Sequence, residues 1–162
     1  MGIEIERKFL VISDEWRENA VGVTYRQGFL LTDKERVVRI RIAGDEGFIT
    51  IKGASKNSND PLARAEYEYG IPRQDAEAML NDLCLPGSIE KTRYKIPYQG
   101  FVWEVDEFEG DNKGLIVAEV ELSDSAINVP LPPWVGEEVS QDYRYANSEL
   151  SKNPFRTWGL KP

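Results

Sequence analysis

The strongest constraint on this chain is an alternation of period two that pairs charges on nearly every strand-like run. Residues two apart on a strand share a face. At that spacing stand Glu4, Glu6 and Lys8, then Arg39 and Arg41, Lys52, Glu66 and Glu68. Further on come Lys91, Arg93 and Lys95, Glu104 and Asp106, and Glu119 and Glu121. The interleaved positions are apolar or aromatic: Ile3, Ile5, Val38, Ile40, Ile42, Ile49, Ile51, Tyr67, Tyr69, Trp103, Val105, Val120 and Leu122. The runs that carry this pattern are 3–12, 24–32, 36–43, 48–52, 62–71, 88–97, 101–109 and 115–122. They are short, rich in β-branched and aromatic residues, and bounded by turn signals at Ala43–Gly47, Pro97–Gly100 and Gly110–Gly114.

A sheet with one charged face can leave that face in water and cover the apolar one with helices. Here the helical segments are too few for that. The segment 72–83 places Ala76, Met79, Leu80 and Leu83 at helical spacing. A short helix is expected at 146–150, with Asn147 or Ser148 near its cap, and a weaker one at 14–19. The stretch 55–61 reads as a polar loop. The charges are also segregated by sign from strand to strand, whereas a surface that only confers solubility mixes them. The expectation is a mainly β fold, a closed eight-stranded antiparallel barrel with a few peripheral helices and its charged faces turned inward. One domain is expected over 1–162, with the barrel at about 2–122 and a crossover and helical segment at about 123–162. An outer-membrane barrel also has a polar lumen. It is disfavoured by the helix at 72–83 and by charges that begin at Glu4, where an apolar signal core would stand.

A lining of mixed charge is costly to desolvate unless it is wet or filled. The filling must suit both signs, and a metal-bound polyphosphate does. The chain has no histidine, so His-based triads and His-rich metal sites are excluded. Any metal must be held by carboxylates, which favours Mg²⁺, Mn²⁺ or Ca²⁺. A general base must be Lys, Tyr, Asp or Glu. The single cysteine, Cys84, forms no internal disulfide and reads as packing, and a cytoplasmic location is the default expectation. The net charge of −8 argues against general nucleic-acid binding.

E-I-E-R-K at the N-terminus is followed in order by V-R-I-R, I-K-G, E-Y-E, E-K-T-R-Y, W-E-V-D-E-F, A-E-V-E-L and D-Y-R-Y-A-N-S-E-L. Together these resemble the CYTH superfamily, the triphosphate tunnel metalloenzymes. The likeness runs from Glu4 to about Leu150, and the family fold is a closed eight-stranded barrel around a charged tunnel. The resemblance implies a metal-dependent phosphohydrolase of a linear triphosphate, most simply inorganic triphosphate cut to pyrophosphate and phosphate. It implies Mg²⁺ or Mn²⁺ held by Glu4, Glu6 and Glu121, with Asp106 and Glu119 contributing to a second metal or its water. Lys8, Arg39, Arg41, Lys52, Arg93 and Arg144 are implied as phosphate contacts, and Lys91 as the general base. Catalytic roles are thus expected for Lys91, Asp106 and Glu119, while Glu66 and Glu68 orient cations.

Alternatives kept open are a thiamine triphosphatase, a nucleoside triphosphatase, a class IV adenylyl cyclase, and a non-catalytic polyphosphate- or nucleotide-binding module. The expected partner is a small-molecule triphosphate, with no nucleic acid or membrane; a homodimer is left open. Phe29 stands where triphosphatase relatives often carry a tyrosine beside the lysine, and Tyr25 lies four residues earlier on the same ideal face. Trp16, Trp103, Trp134 and Trp158 read as core or barrel-exterior contacts, and V-P-L-P-P-W as a rigid crossover.

Overall fold

β-Branched residues flanked by charges give long, half-buried strands, and these strands close on themselves. The computed structural model describes residues 2–33, 35–54 and 60–158. Its strands are β1 (Ile3–Val11), β2 (Gly22–Thr32), β3 (Arg36–Ala43), β4 (Glu46–Gly53), β5 (Ala63–Ile71), β6 (Ile89–Tyr98), β7 (Phe101–Phe108), β8 (Ile116–Glu121) and β9 (Val135–Glu138). Two α-helices are present among the described residues, α1 (Arg73–Asp82) and α2 (Asn147–Leu150). The 14–19 segment forms only a 3-10 turn at Glu15–Arg17. Residues 55–59, most of the expected 55–61 loop, lie outside the described residues.

The sheet order is β5-β4-β3-β2-β6-β7-β8-β1-β9, and β5 also pairs with β1, so eight antiparallel strands form a closed barrel. The hairpin turns use left-handed backbone, at no steric cost where glycine supplies it: Gly44 has φ 59° and Gly100 85°, while Gln99 at 47° is the non-glycine member of its turn.

β9 is a ninth strand that the sequence pattern did not announce. It is four residues long and directly follows the proline-rich crossover. It pairs with β1 at Phe9 and Val11, beyond the point where β5 leaves that edge at Ile5. Gly136 permits the approach, because a Cβ there would strike the Ile12 side chain.

The apolar residues divide between three packed groups. Phe9, Trp16, Trp103, Val105, Ala118, Val120, Leu122 and Trp134 pack on the outside of β1, β7 and β8 beneath the crossover. On the other flank, Ile40 and Ile42 of β3 meet Ala76 and Leu80 of α1, with Cys84 against the group. Together these coats shield outward faces that a longer helical layer would otherwise have to cover. The third group lies on the inward parity. Phe29, Ile89, Phe108 and Val117 continue the inward faces of β2, β6, β7 and β8 and are joined by Tyr145 and Leu150 of the C-terminal segment. One end of the barrel interior is therefore plugged with apolar side chains. No helix among the described residues is long and apolar enough to cross a membrane.

Candidate active site

The interior holds a cavity of about 280 Å³ lined almost wholly by charged and polar side chains. Its carboxylates come from neighbouring strands. Glu4 and Glu6 leave the inward face of β1, and Glu121 stands opposite Glu6 across the β1–β8 ladder. Ligand oxygens of these three residues lie within 4.8 Å of one another, an acidic group that could hold a metal ion. Burial, then the charges of Glu119 and Glu4, push the Glu6 carboxyl well above its ordinary range. Burial, then Glu104 and Glu4, push Glu121 up as well. Such crowding favours a bound cation. An all-oxygen, all-carboxylate set suits a hard divalent ion.

Cations and further carboxylates line the same space. Lys52 Nζ is 3.0 Å from Glu4 and 3.6 Å from Glu66. Arg39 reaches Glu68 at 3.3 Å, and the Thr50 hydroxyl donates to the same carboxylate at 2.7 Å. Lys8 lies 3.5 Å from Glu119 and donates to the Tyr145 carbonyl at 3.0 Å.

The densest pairing is deeper, beside the apolar plug. Asp106, 0% exposed, accepts from Arg93 Nε at 2.7 Å and Nη2 at 2.9 Å, and pairs with Lys91 Nζ at 2.7 Å. Burial raises the Asp106 carboxyl, but Lys91 and Arg93 outweigh it and hold the group below its ordinary value. Burial likewise works against Glu119, and Lys8 and Arg93 hold it far below the usual carboxylate range. Lys91 shifts the other way. Burial lowers it against the pull of Asp106, Arg93 and Arg41 add to the lowering, and its pKa falls from 10.5 to about 7. A lysine so placed can lose its proton near neutrality.

Tyr25 lies directly opposite Lys91 in the β2–β6 register. Its ring is a spacer between guanidiniums: Arg41 and Arg93 lie 4.8 and 4.9 Å from the centroid, and Lys91 Nζ lies 5.9 Å away. Phe29, two residues past Gln27, stays on the inward face and belongs to the plug.

The structure brings Glu4, Glu6, Lys8, Arg39, Arg41, Lys52, Lys91, Arg93, Glu119 and Glu121 to one cavity wall, with Asp106 bonded directly behind Lys91 and Arg93. Arg144 does not join them. It is exposed, paired with Asp142 at 2.7 Å, and lies over the Tyr145 and Trp158 rings on the outer surface. The three-oxygen group also leaves Asp106 and Glu119 aside, since both already face cations.

Four site residues escaped the sequence reading. Arg64 extends the inward face of β5 by one more step before Glu66, so the alternation could have found it. It makes no ion pair among the described residues, and its Nε is buried without a partner. Gln27, between Tyr25 and Phe29, was legible in the same way. Thr50 lies opposite Arg39 on β4 and was hidden by its lack of charge. Asn147 carries no local signal: instead of capping α2, its side chain enters the barrel and accepts from Lys91 at 2.9 Å.

A family model described as the CYTH domain matches residues 2–154. The chain is 48% identical over 158 residues to an inorganic triphosphatase of Acetivibrio thermocellus, covering 98% of this chain and 99% of that one. It is 41% identical over 153 residues to an inorganic triphosphatase of Nitrosomonas europaea, covering 91% and 96%. A solved structure of an inorganic triphosphatase superposes with a TM-score of 0.63 at 34% identity, covering 91% of this chain and 96% of that chain.

Proposed function

This chain belongs to the CYTH family, and from that premise we propose that it hydrolyses inorganic triphosphate to pyrophosphate and phosphate inside its barrel. The observation that carries this reading is the convergence of Glu4, Glu6 and Glu121 on one point of a cavity whose other walls are cationic. Arg41, Arg64 and Lys95 face that cavity without a carboxylate partner among the described residues. They leave positive charge for a polyanion to neutralise.

Glu4, Glu6 and Glu121 would hold Mg²⁺ or Mn²⁺, which when bound neutralises phosphate oxygens and helps align the chain for in-line displacement. Lys8, Arg39, Arg41, Lys52, Arg64 and Arg93 hold the phosphates in place. Phosphoryl transfer depends mainly on such positioning and charge stabilisation. Lys91, as the neutral amine, takes a proton from the attacking water as its oxygen bonds to the terminal phosphorus. The bond from that phosphorus to the bridging oxygen breaks, and pyrophosphate leaves with the electron pair. Asp106 and Glu119 are read here as holders of Lys91, Arg93 and Lys8 rather than metal ligands.

Among the described residues the lining is dominated by charged side chains, with few apolar or aromatic members such as Tyr25, Phe29 and Val37. That favours triphosphate itself over nucleotide or thiamine esters. Phosphate release from triphosphate, ATP, thiamine triphosphate and longer polyphosphate, each with Mg²⁺, Mn²⁺ or chelator, tests the reading. Triphosphate should be cleaved fastest and only with metal. Equal turnover of ATP, release of cyclic AMP, or binding without turnover would replace it.

A further inference from the structure

Resting on the reading of Lys91 as the base, we propose that Asn147 is a positioning residue for it: the C-terminal segment supplies an oxygen that aims the free corner of the lysine nitrogen into the tunnel. Arg41 sets the direction of the whole network, because a guanidinium can only donate. Arg41 Nε donates to Gln27 Oε1 at 2.8 Å. Gln27, 0% exposed, must therefore turn its amide nitrogen away from Arg41, and that nitrogen donates to Asn147 Oδ1 at 2.7 Å. The orientation of both amides follows from the one donor-only group, with no freedom left for a flip.

The same Asn147 oxygen accepts from Lys91 Nζ at 2.9 Å. On the other side Asp106 Oδ2 forms an ion pair with Nζ at 2.7 Å, and Asp106 is itself locked by Arg93. Lys91 thus lies between two acceptors that cannot exchange roles with it. A neutral amine has two N–H bonds and one lone pair. With one N–H held by Asn147 and the Asp106 carboxylate close on another side, the lone pair is steered to the remaining tetrahedral direction. Without the Asn147 oxygen, the amine turns about its Cε–Nζ bond and the lone pair sweeps over several directions. A base whose lone pair wanders loses rate rather than affinity.

Asn147 does nothing comparable for its own helix. It is the first residue of α2, a four-residue turn that shows no side-chain cap hydrogen bond. Neither Gln27 nor Asn147 bears a charge, so neither contributes to the net attraction for a polyanion.

The test uses steady-state hydrolysis of triphosphate by the full chain. Asn147→Ala and the near-isosteric Asn147→Leu both remove the acceptor. Each is expected to lower kcat about tenfold or more, with KM changed less than about threefold. Asn147→Asp keeps an oxygen in place and should restore kcat to within about threefold on the alkaline plateau of the pH profile. In a Lys91→Ala background, Asn147→Ala should remove nothing further, because the two act as one unit. A KM rise at constant kcat would make Asn147 a substrate contact and overturn the proposal. Equal losses in both backgrounds, or a lowered melting temperature with kcat intact, would overturn it too. Should Asn147→Ala fail to fold, the Leu and Asp variants still separate the acceptor from the volume. If Lys91→Ala itself keeps full kcat, the reading of the base fails. If Lys91→Ala loses kcat and the Asn147 variants do not, only the positioning role fails.

Discussion

At the outer part of the tunnel, Glu4, Glu6 and Glu121 gather beside Lys52, which pairs with Glu4. Deeper in, Asp106 is enclosed by Arg93 and Lys91, and Glu119 by Lys8 and Arg93. The first region is frustrated as it stands, and the Glu6 and Glu121 carboxyls are pushed up. The second is internally neutralised, and its carboxyls are pushed down. The same residue types, one strand apart, are thus set for different tasks. Crowded carboxylates raise the affinity for an incoming cation, whereas fully neutralised ones fix the groups that act on substrate.

Substitutions that treat the two regions alike should break them differently. Asp106→Ala strands two buried cations and is expected to cost about 3–5 kcal/mol of stability, measured by urea unfolding. Glu6→Ala should lower turnover about 10³-fold, as for loss of a main electrostatic group. Its metal-free melting temperature should hold or rise, because repulsion from Glu4 and Glu119 is relieved. A drop in stability comparable to that of Asp106→Ala would erase the contrast between the regions.

Lys91→Ala should lower kcat about 10²-fold with little change in KM. Arg64→Ala should do the reverse, raising KM about tenfold at nearly constant kcat, since this cation, without a carboxylate partner among the described residues, neutralises phosphate without touching the base. The smallest effect is expected from Arg144→Ala, within about twofold on both constants, because its guanidinium faces outward.

The pH profile sharpens the deep region further. Lys91 acts only when deprotonated, so kcat/KM should climb as pH rises through about 7 and then level off. Bound triphosphate favours the ammonium, so the corresponding limb of kcat should lie at higher pH. A rate that falls over that interval would assign Lys91 as a cation and not as a base.

The period-two pattern alone determined that nearly every strand would carry one charged and one apolar face, and sign segregation favoured turning the charged faces inward. That is a local property, because a strand's side chains alternate whatever it packs against. It placed Glu6, Arg41, Lys91 and Glu121 on a common interior, and it would have added Arg64 and Gln27 had it been followed one step further. The crossover's short strand, β9, lay below its reach, since four residues beside glycine and prolines have no period to read. Tertiary structure alone decided which charges pair, that Asp106 serves Lys91 and Arg93, that Tyr25 separates guanidiniums, and that Arg144 points away. It also brought Asn147 to Lys91, 56 positions earlier in the chain. Distances of that kind depend on strand shear and on how the chain end docks, and neither is written in the spacing of neighbouring residues.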